Sequence, residues 1–443
     1  MLKKFTREEK SWMMYDWANS AHSVIIVTLL PIFYATVASC TNDSTSAMST
    51  WGYFTSGAML ICALLAPLLG AIGDFRGYRK KLFIASLLVG VAACVGLAIT
   101  PMTGFFDNPE KAGKVGFAIL ILYVLSQIGY SAANLYYDSF LTDVTTEERM
   151  DRVSTMGYGL GYIGGSTIPL LCFLLLNLAG VDVLYCLSFA FGFTAVWWLV
   201  FSWPLIKNVE QKSYVEHRRG AVRDSLRGLG KTVKEIFAHK DIFVFLIAYF
   251  FYIDGVGTII HMSTIYGNTL GLDSTMMMLA MLLVQLLGLP FCLLYINLAD
   301  RFGARKMVGV GIVVYMLICV FGFFVRSVWQ FWVLAILVST SQGGIQALSR
   351  SMFGKMIPDK KRTGEFFGFY DIFGKFSSII GPSVVAFASA IAANALRAKG
   401  TVAEDLIEAA AAPWGVLSIL IIFFIGGGLY FFVLPRYLKK KDV

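Results

Sequence analysis

Twelve apolar runs, each long enough to cross a bilayer, decide what this sequence can fold into. They fall near 12–38, 51–73, 82–101, 115–140, 153–179 and 183–206, and, after a polar interval, near 242–266, 274–299, 307–326, 329–353, 364–393 and 413–435. About 20 residues of helix cross the hydrocarbon core, and a helix satisfies its own backbone there. Of the 443 residues 57% are hydrophobic and only 15% charged, against roughly 25% charged in an average soluble domain. That much apolar surface has to face lipid. The expected fold is an all-α membrane protein of twelve transmembrane helices in two six-helix bundles, at 1–206 and 242–443, joined by a basic cytoplasmic linker at 207–241.

A net charge of +9 raises the question of nucleic acid, but the basic residues sit in short clusters between apolar runs, which fits an anionic membrane surface. Of the 37 Lys and Arg, 31 lie on the side of the termini and 5 opposite (Lys111, Lys114, Arg326, Arg397, Lys399), with Lys375 inside the eleventh span. The excess of positive charge predicts that both termini are cytoplasmic. The seven cysteines show no CxxC pairing and the four histidines are scattered, so neither zinc nor a disulfide framework is expected. Val37-Ala38-Ser39-Cys40 resembles a lipoprotein cleavage box. The preceding run is longer than a signal-peptide core of about 7–15 residues and contains Asp16, Asn19, His22 and Pro31, so a retained first helix is expected.

Within the linker, Val222, Leu226, Leu229, Val233 and Ile236 recur at helical spacing while Arg223, Arg227, Lys231 and Lys234 take the other faces, the pattern of an interfacial amphipathic helix. Gly230-Lys231-Thr232 resembles the end of a phosphate-binding loop, but Ser225 stands where the first glycine is required and no strand precedes it. Near the N-terminus, Thr6 followed by Glu9 predicts a capping box.

The two halves repeat each other. Gly73-Asp74-Phe75-Arg76-Gly77-Tyr78-Arg79 follows the second span and Ala299-Asp300-Arg301-Phe302-Gly303-Ala304-Arg305 follows the eighth. In each, an Asp ends the helix, a Gly allows the reversal, and basic residues follow. The Asp suits a breakable clasp on a neighbouring helix N-terminus or an Arg; the plainer reading is an orientation-setting basic loop. Asn134, Asp138, Ser139 and Asp143 align with Gln346, Arg350, Ser351 and Lys355 at a constant offset of 212. The first and seventh spans each carry an Asp and a His, Asp16 with His22 and Asp254 with His261.

This combination resembles the major facilitator superfamily, whose signature loop recurs in the two halves. Tyr15-Asp16-Trp17-Ala18-Asn19-Ser20-Ala21, Asp254-Gly255-Val256-Gly257-Thr258-Ile259-Ile260, Gly343-Gly344-Ile345-Gln346-Ala347-Leu348-Ser349-Arg350 and Glu365-Phe366-Phe367-Gly368-Phe369-Tyr370-Asp371 look like its vacuole-effluxer branch. Two positions depart from the pattern: Phe75 stands where a basic residue is usual, and His22 where the branch tends to have an aromatic. The resemblance implies a secondary transporter working by alternating access, and points to amino acids as exported solutes.

Ionisable groups within a span cost at least ~2.5–3.5 kcal/mol each at its centre, so they face a cavity or a partner. Asp254 is the deepest acid, with His261 two turns on along the same face; a proton-coupled site or a hydrogen-bonded packing residue are the two readings. Asp16, Asn19, His22, Gln127, Asn134, Gln342 and Gln346 are further candidates for substrate or coupling ion, with interhelical hydrogen bonding as the alternative. Asp371 and Lys375 are four apart and can pair with each other, or Lys375 can receive a substrate carboxylate or counter Asp254. Asp74, Arg76, Gly77, Arg79, Asp138, Asp300, Arg301, Gly303, Arg305 and Arg350 are candidates for a cytoplasmic gate, the opposite signs of Asp138 and Arg350 suiting an ion pair that must open. No HExxH, GxSxG or paired acidic motif supports a membrane enzyme, and no soluble signalling domain supports a sensor or scaffold. The expected partners are a small-molecule substrate, the lipid bilayer and protons, with no nucleic acid, no cofactor and a monomeric chain. The expected location is a bacterial-type inner membrane.

Overall fold

The computed structural model describes residues 5–41, 47–216, 221–398 and 404–438. Helices α1 (Arg7–Ser39), α2 (Ala47–Gly73), α3 (Tyr78–Ile99) and α4 (Pro109–Val144) are the first four spans. The fifth is α5 (Glu147–Gly161), a π-helical turn (Tyr162–Thr167) and α6 (Ile168–Leu178); α7 (Val183–Asn208) is the sixth. Helix α8 (Ala221–Ala238) lies in the linker. The remaining spans are α9 (Lys240–Thr269), α10 (Ser274–Phe302), α11 (Ala304–Phe323), α12 (Val328–Met356), α13 (Thr363–Arg397) and α14 (Glu404–Gly428). Twelve stretches among the described residues are long and apolar enough to cross a membrane, matching the twelve runs of the sequence.

The helix ends follow from local chemistry. At α1 the Thr6 hydroxyl accepts from the Glu9 N–H while the Glu9 carboxylate accepts from the Thr6 N–H, the capping box expected. Ser327 and Gln330 repeat it at α12, Asn108 caps α4 ahead of Pro109, and Asp273 caps α10. Between α2 and α3 the chain reverses through Gly77 at φ +73°, a conformation that a side chain disfavours. The π turn is forced by packing: a Cβ at Gly164 would lie 1.9 Å from the Trp17 ring, so only glycine admits α1 this closely.

Two compact units result: Met1–Val153 with Leu160–Leu229 and Pro358–Phe369, and Ser154–Gly159 with Gly230–Ile357 and Tyr370–Val443. In the first, Trp12 stacks on Tyr137 at 4.3 Å and donates its indole N–H to the Tyr137 carbonyl at 2.8 Å. In the second, Tyr252, Tyr315, Phe423 and Tyr430 are buried at the centre. After α7 the linker does not go directly into its helix. Residues 209–216 run back along the α2–α3 turn, where Val215 forms an isolated parallel bridge with Phe75. In α8, Ile236 is buried and Lys231 and Lys234 are exposed, as an amphipathic helix requires. The side chains of Val222, Arg223, Leu226 and Arg227, which belong to the same expectation, lie outside the described residues.

Candidate functional site

Asp74 is the hub of the first unit. It ends α2 as the repeat predicts and is 2% exposed. Its Oδ1 accepts from Arg79 Nη2 at 2.7 Å and from the Gly364 N–H at 2.7 Å, and its Oδ2 from the Glu365 N–H at 2.8 Å. Those two N–H groups belong to the first turn of α13, where the helix dipole and unsatisfied donors favour an anion. Arg79 is fully buried; its Nη1 reaches Asp143 Oδ2 at 2.6 Å and the Ser139 carbonyl at 3.2 Å. Burial pushes the Asp74 carboxyl up to about 6, with Arg79 and the two backbone donors pulling the other way. The approach of α13 depends on Gly364, where a Cβ would lie 2.6 Å from the Gly70 carbonyl and 2.8 Å from Asp74 Oδ1.

Arg76, expected beside Arg79 in the clasp, points outward instead: it lies 3.7 Å from Glu216 and over the Tyr214 ring, with both partners of the ion pair well exposed. The loop is instead strapped by the linker. Arg76 N–H donates to the Val215 carbonyl at 3.1 Å, Val215 N–H to the Asp74 carbonyl at 2.8 Å, Gly77 N–H to Gln211 Oε1 at 3.0 Å, and Ser213 N–H to Asp143 Oδ1 at 3.0 Å. The second copy does not repeat that turn. Asp300, expected to end its helix, lies inside α10, which runs on through Arg301 to Phe302, and Gly303 (φ +90°, ψ 143°) takes a different backbone conformation from Gly77 (φ +73°, ψ 1°). Asp300 and Arg301 are exposed and Arg301 lies over Phe302. The buried clasp is therefore a property of the first copy alone.

The polar residues of α1 and α4 form a second group in the first unit. Asp16 Oδ2 accepts from the Tyr137 hydroxyl at 2.6 Å, and Asn19 Nδ2 donates to Asn134 Oδ1 at 2.8 Å. Gln127 lies about two turns from Asn134 on the same helix, its amide 3.4 Å from the Tyr123 hydroxyl. Asp138 is half-buried. His22 is 1% exposed, stacked on Tyr130 at 4.5 Å and tilted against Trp198 at 5.1 Å. Neither of its ring nitrogens has a hydrogen-bond partner.

In the second unit Asp254 is completely buried. Its Oδ1 accepts one bond, from the Gly381 N–H at 3.0 Å, and its Oδ2 has no partner. One turn on, the Thr258 hydroxyl is likewise unpartnered. A Cβ at Gly381 would lie 1.7 Å from that hydroxyl and 3.1 Å from Asp254 Oδ1, so glycine is what lets the α13 backbone reach the acid. His261, expected with Asp254, is exposed where Asp254 is buried, and the two do not form one site. Lys375 forms its ion pair with Asp371 on its own helix, the pairing that the four-residue spacing allows. Arg350 is buried, its Nε on the Ser154 hydroxyl at 2.9 Å, its Nη2 on the Ser154 carbonyl at 3.1 Å, and its guanidinium 4.5 Å above the Tyr158 ring. Gln342 and Gln346 are half-buried on α12, and Arg305 supplies a carbonyl to the Tyr430 hydroxyl at 2.9 Å.

Several residues that complete these groups were not candidates from sequence: Gly364, Gln211, Ser213, Thr258, Gly381 and Tyr137. Two signals came close: Asp143 is one of the aligned polar positions of the two halves, and Thr258 stands within the string Asp254–Ile260 that carries the family resemblance.

The whole chain has counterparts among known proteins. Residues 5–148 and 142–397 match the family described as "Vacuole effluxer Atg22 like". Over 394 residues the chain is 44% identical to the MFS-type transporter YxiO of Bacillus subtilis, covering 87% of this chain and 89% of that one. Over 451 residues it is 24% identical to autophagy-related protein 22-1 of Emericella nidulans, covering 84% and 75%. Among solved structures, the proton:xylose symporter XylE matches with a TM-score of 0.69 at 13% identity over 95% of this chain and 94% of that one. The human organic anion transporter MFSD10 matches at 0.66 and 13% over 96% and 99%. Identities this low speak to the fold, which is that of the major facilitator superfamily. With the twelve membrane-crossing helices and the match over nearly its full length, the chain is a multi-pass membrane transporter and belongs to the Atg22-like vacuole effluxer family.

Proposed function

We propose that the protein is a proton-coupled secondary transporter that exports small polar organic solutes, amino acids foremost, with Asp254 as the proton-carrying group. The observation that supports this reading is the state of that carboxyl: completely buried, with one backbone donor on one oxygen and nothing on the other. An ion in that position would forfeit several kilocalories per mole of hydration with no cation to compensate. A neutral carboxyl has no such cost, so the group is neutral while enclosed and releases its proton when the surroundings become wet. That is the behaviour coupling requires.

Alternating access then consists of breaking and remaking the Asp74 cap on the first turn of α13. The excess of Lys and Arg on the side where α1 begins supports a cytoplasmic location for that cap and for both termini. The hydrogen-bonded Asn19–Asn134 pair, with Gln127 on the same helix as Asn134, offers amide groups that suit a zwitterionic solute. The preference for amino acids rests on the family resemblance, and a monomer without a cofactor suffices for the mechanism.

The test is uptake into proteoliposomes over a panel of amino acids, with and without an imposed pH gradient. Asp254→Asn should abolish gradient-driven accumulation while leaving solute exchange down its own gradient. Accumulation by Asp254→Asn equal to the parent rules out coupling at this residue, and absence of flux for every amino acid removes the substrate assignment.

A further inference from the structure

Outside the groups already described, the second unit contains a cavity of about 380 Å³, within the range of ligand sites. It runs between α9, α13 and α14, closed behind by Ile318 of α11 and Leu334 of α12. One end lies where three helices reach the membrane boundary, at Thr269, Arg397 and Glu408. The other is Thr258, eleven residues along α9 from Thr269, or roughly 16 Å at 1.5 Å per residue. Between these ends the wall is mostly hydrocarbon, with Ile259, Met262, Val385, Val416 and Ile419. Of the polar residues among them, Ser263, Tyr266 and Ser389, the first two already donate their hydroxyls to the Ile260 and Gly322 carbonyls. At this second end Thr258 is 1% exposed, and its hydroxyl has no hydrogen-bond partner among the described residues.

We propose that this slot binds one acyl chain of a zwitterionic phospholipid, with the headgroup at its rim. A compact polar solute is disfavoured, because along the length of the wall it would leave its own hydrogen-bonding groups unpaired. Water is disfavoured for the same reason, since apolar cavities stay dry. A hydrocarbon chain has no such groups and buries its length on the apolar wall. The rim then selects the head. Arg397 and Glu408 place one positive and one negative side chain at the mouth, which complements a phosphate and an ammonium carried by the same molecule. The chain's methyl end stops against Thr258, one helical turn from Asp254, so a bound lipid holds α9 and α13 at the distance the Asp254–Gly381 bond needs. This assignment does not depend on the identity of the transported solute.

The experiment uses the full chain in liposomes carrying a trace of phosphatidylethanolamine with a diazirine at the end of one acyl chain, followed by peptide mapping of the photoadducts. Adducts on Met262, Val385 and Val416 are expected, together with background adducts on Phe387, which is 70% exposed on α13. Filling the slot with Ala386→Phe and Ala390→Leu should lower the cavity adducts by about tenfold or more and leave those on Phe387 unchanged. Glu408→Lys, at an exposed position where packing is not disturbed, should shift the preference from the phosphatidylethanolamine probe to the phosphatidylglycerol one. A diazirine fatty acid labelling the same residues equally well would refute the headgroup assignment. Adducts on Phe387 alone, or cavity adducts indifferent to filling, would refute the site itself.

Discussion

Replacing Arg79 by Gln is the most severe test of how the first unit is held together. The guanidinium bridges two carboxylates, Asp74 at 2.7 Å and Asp143 at 2.6 Å, and all three side chains are 3% exposed or less. Removing it leaves two buried acids, Asp74 with the N–H groups of Gly364 and Glu365 and Asp143 with those of Ser213 and Lys212. Breaking one buried pair costs about 3–5 kcal/mol, mostly because the surviving charge is stranded. The two pairs share one cation and so do not add; the expected loss is about 3–5 kcal/mol in total. Heat- or SDS-induced unfolding of the purified protein reads it directly. Arg79→Gln with Asp143→Asn removes one stranded acid and should recover at least half of the loss. Acidity provides an independent check. Asp74 ordinarily titrates near 3.8 and in the fold is pushed to about 6. The native state therefore holds its proton more readily than the unfolded chain, so this group's contribution is full below about pH 4 and fades as pH rises through about 6. Loss of the guanidinium raises the carboxyl further, so the deficit of Arg79→Gln should be largest near pH 8 and shrink towards pH 5. A variant as stable as the parent at neutral pH, with no recovery in acid, refutes the reasoning.

Three further outcomes follow from single contacts. His22→Phe removes two buried unpartnered nitrogens and keeps the stack on Tyr130, so unfolding should be harder by about 1 kcal/mol; lost uptake in a stabilised protein would assign the imidazole to the solute. Gly381→Ala drives a methyl into the Thr258 hydroxyl and to 2.8 Å from the Thr258 Cβ and should cost about 1–3 kcal/mol, part of it recovered when Thr258→Ala removes the hydroxyl but keeps the Cβ, which a double-mutant cycle measures. Gln211→Ala removes the acceptor of the Gly77 N–H and should speed hydrogen exchange there by roughly 2–10-fold, one bond's worth; unchanged exchange means that the strap contributes nothing in solution.

What the sequence made legible and what it hid divide along physical lines. The twelve spans were readable because hydrophobicity over twenty residues is a property of each segment alone. So was the Asp371–Lys375 pair, whose partners lie one turn apart on one helix. The clasp was readable only by half. Asp74, Gly77 and Arg79 are written into the loop, but the groups that complete it are backbone N–H donors at Gly364 and Glu365, some 290 residues away, and every residue except proline carries such a donor. Only the glycine that lets that backbone approach is distinctive, and one glycine among 42 carries no signal.

The two copies of the loop separate turn from burial. Both copies reverse at a positive-φ glycine, Gly77 and Gly303, but α2 stops before its Asp while α10 runs through Asp300 to Phe302, so the motif specifies the glycine and not the helix end. Burial is specified elsewhere. In the first copy Gln211, Ser213 and Val215 cross the loop and the first turn of α13 sits on its Asp; Asp300 and Arg301 remain exposed. The same distinction explains His261. A spacing of seven places it on the face of Asp254, but a face stays buried only as far as the neighbouring helix follows it. The α13 backbone meets α9 closely at Gly381, beside Asp254 and Thr258, and by His261 the face is open. A motif therefore predicts where the chain reverses, while whether its charge does work depends on the segment that covers it. For this transporter the informative substitutions are accordingly at Gly364 and Gly381 as well as at the charges, because a glycine has no side chain to advertise the approach it permits.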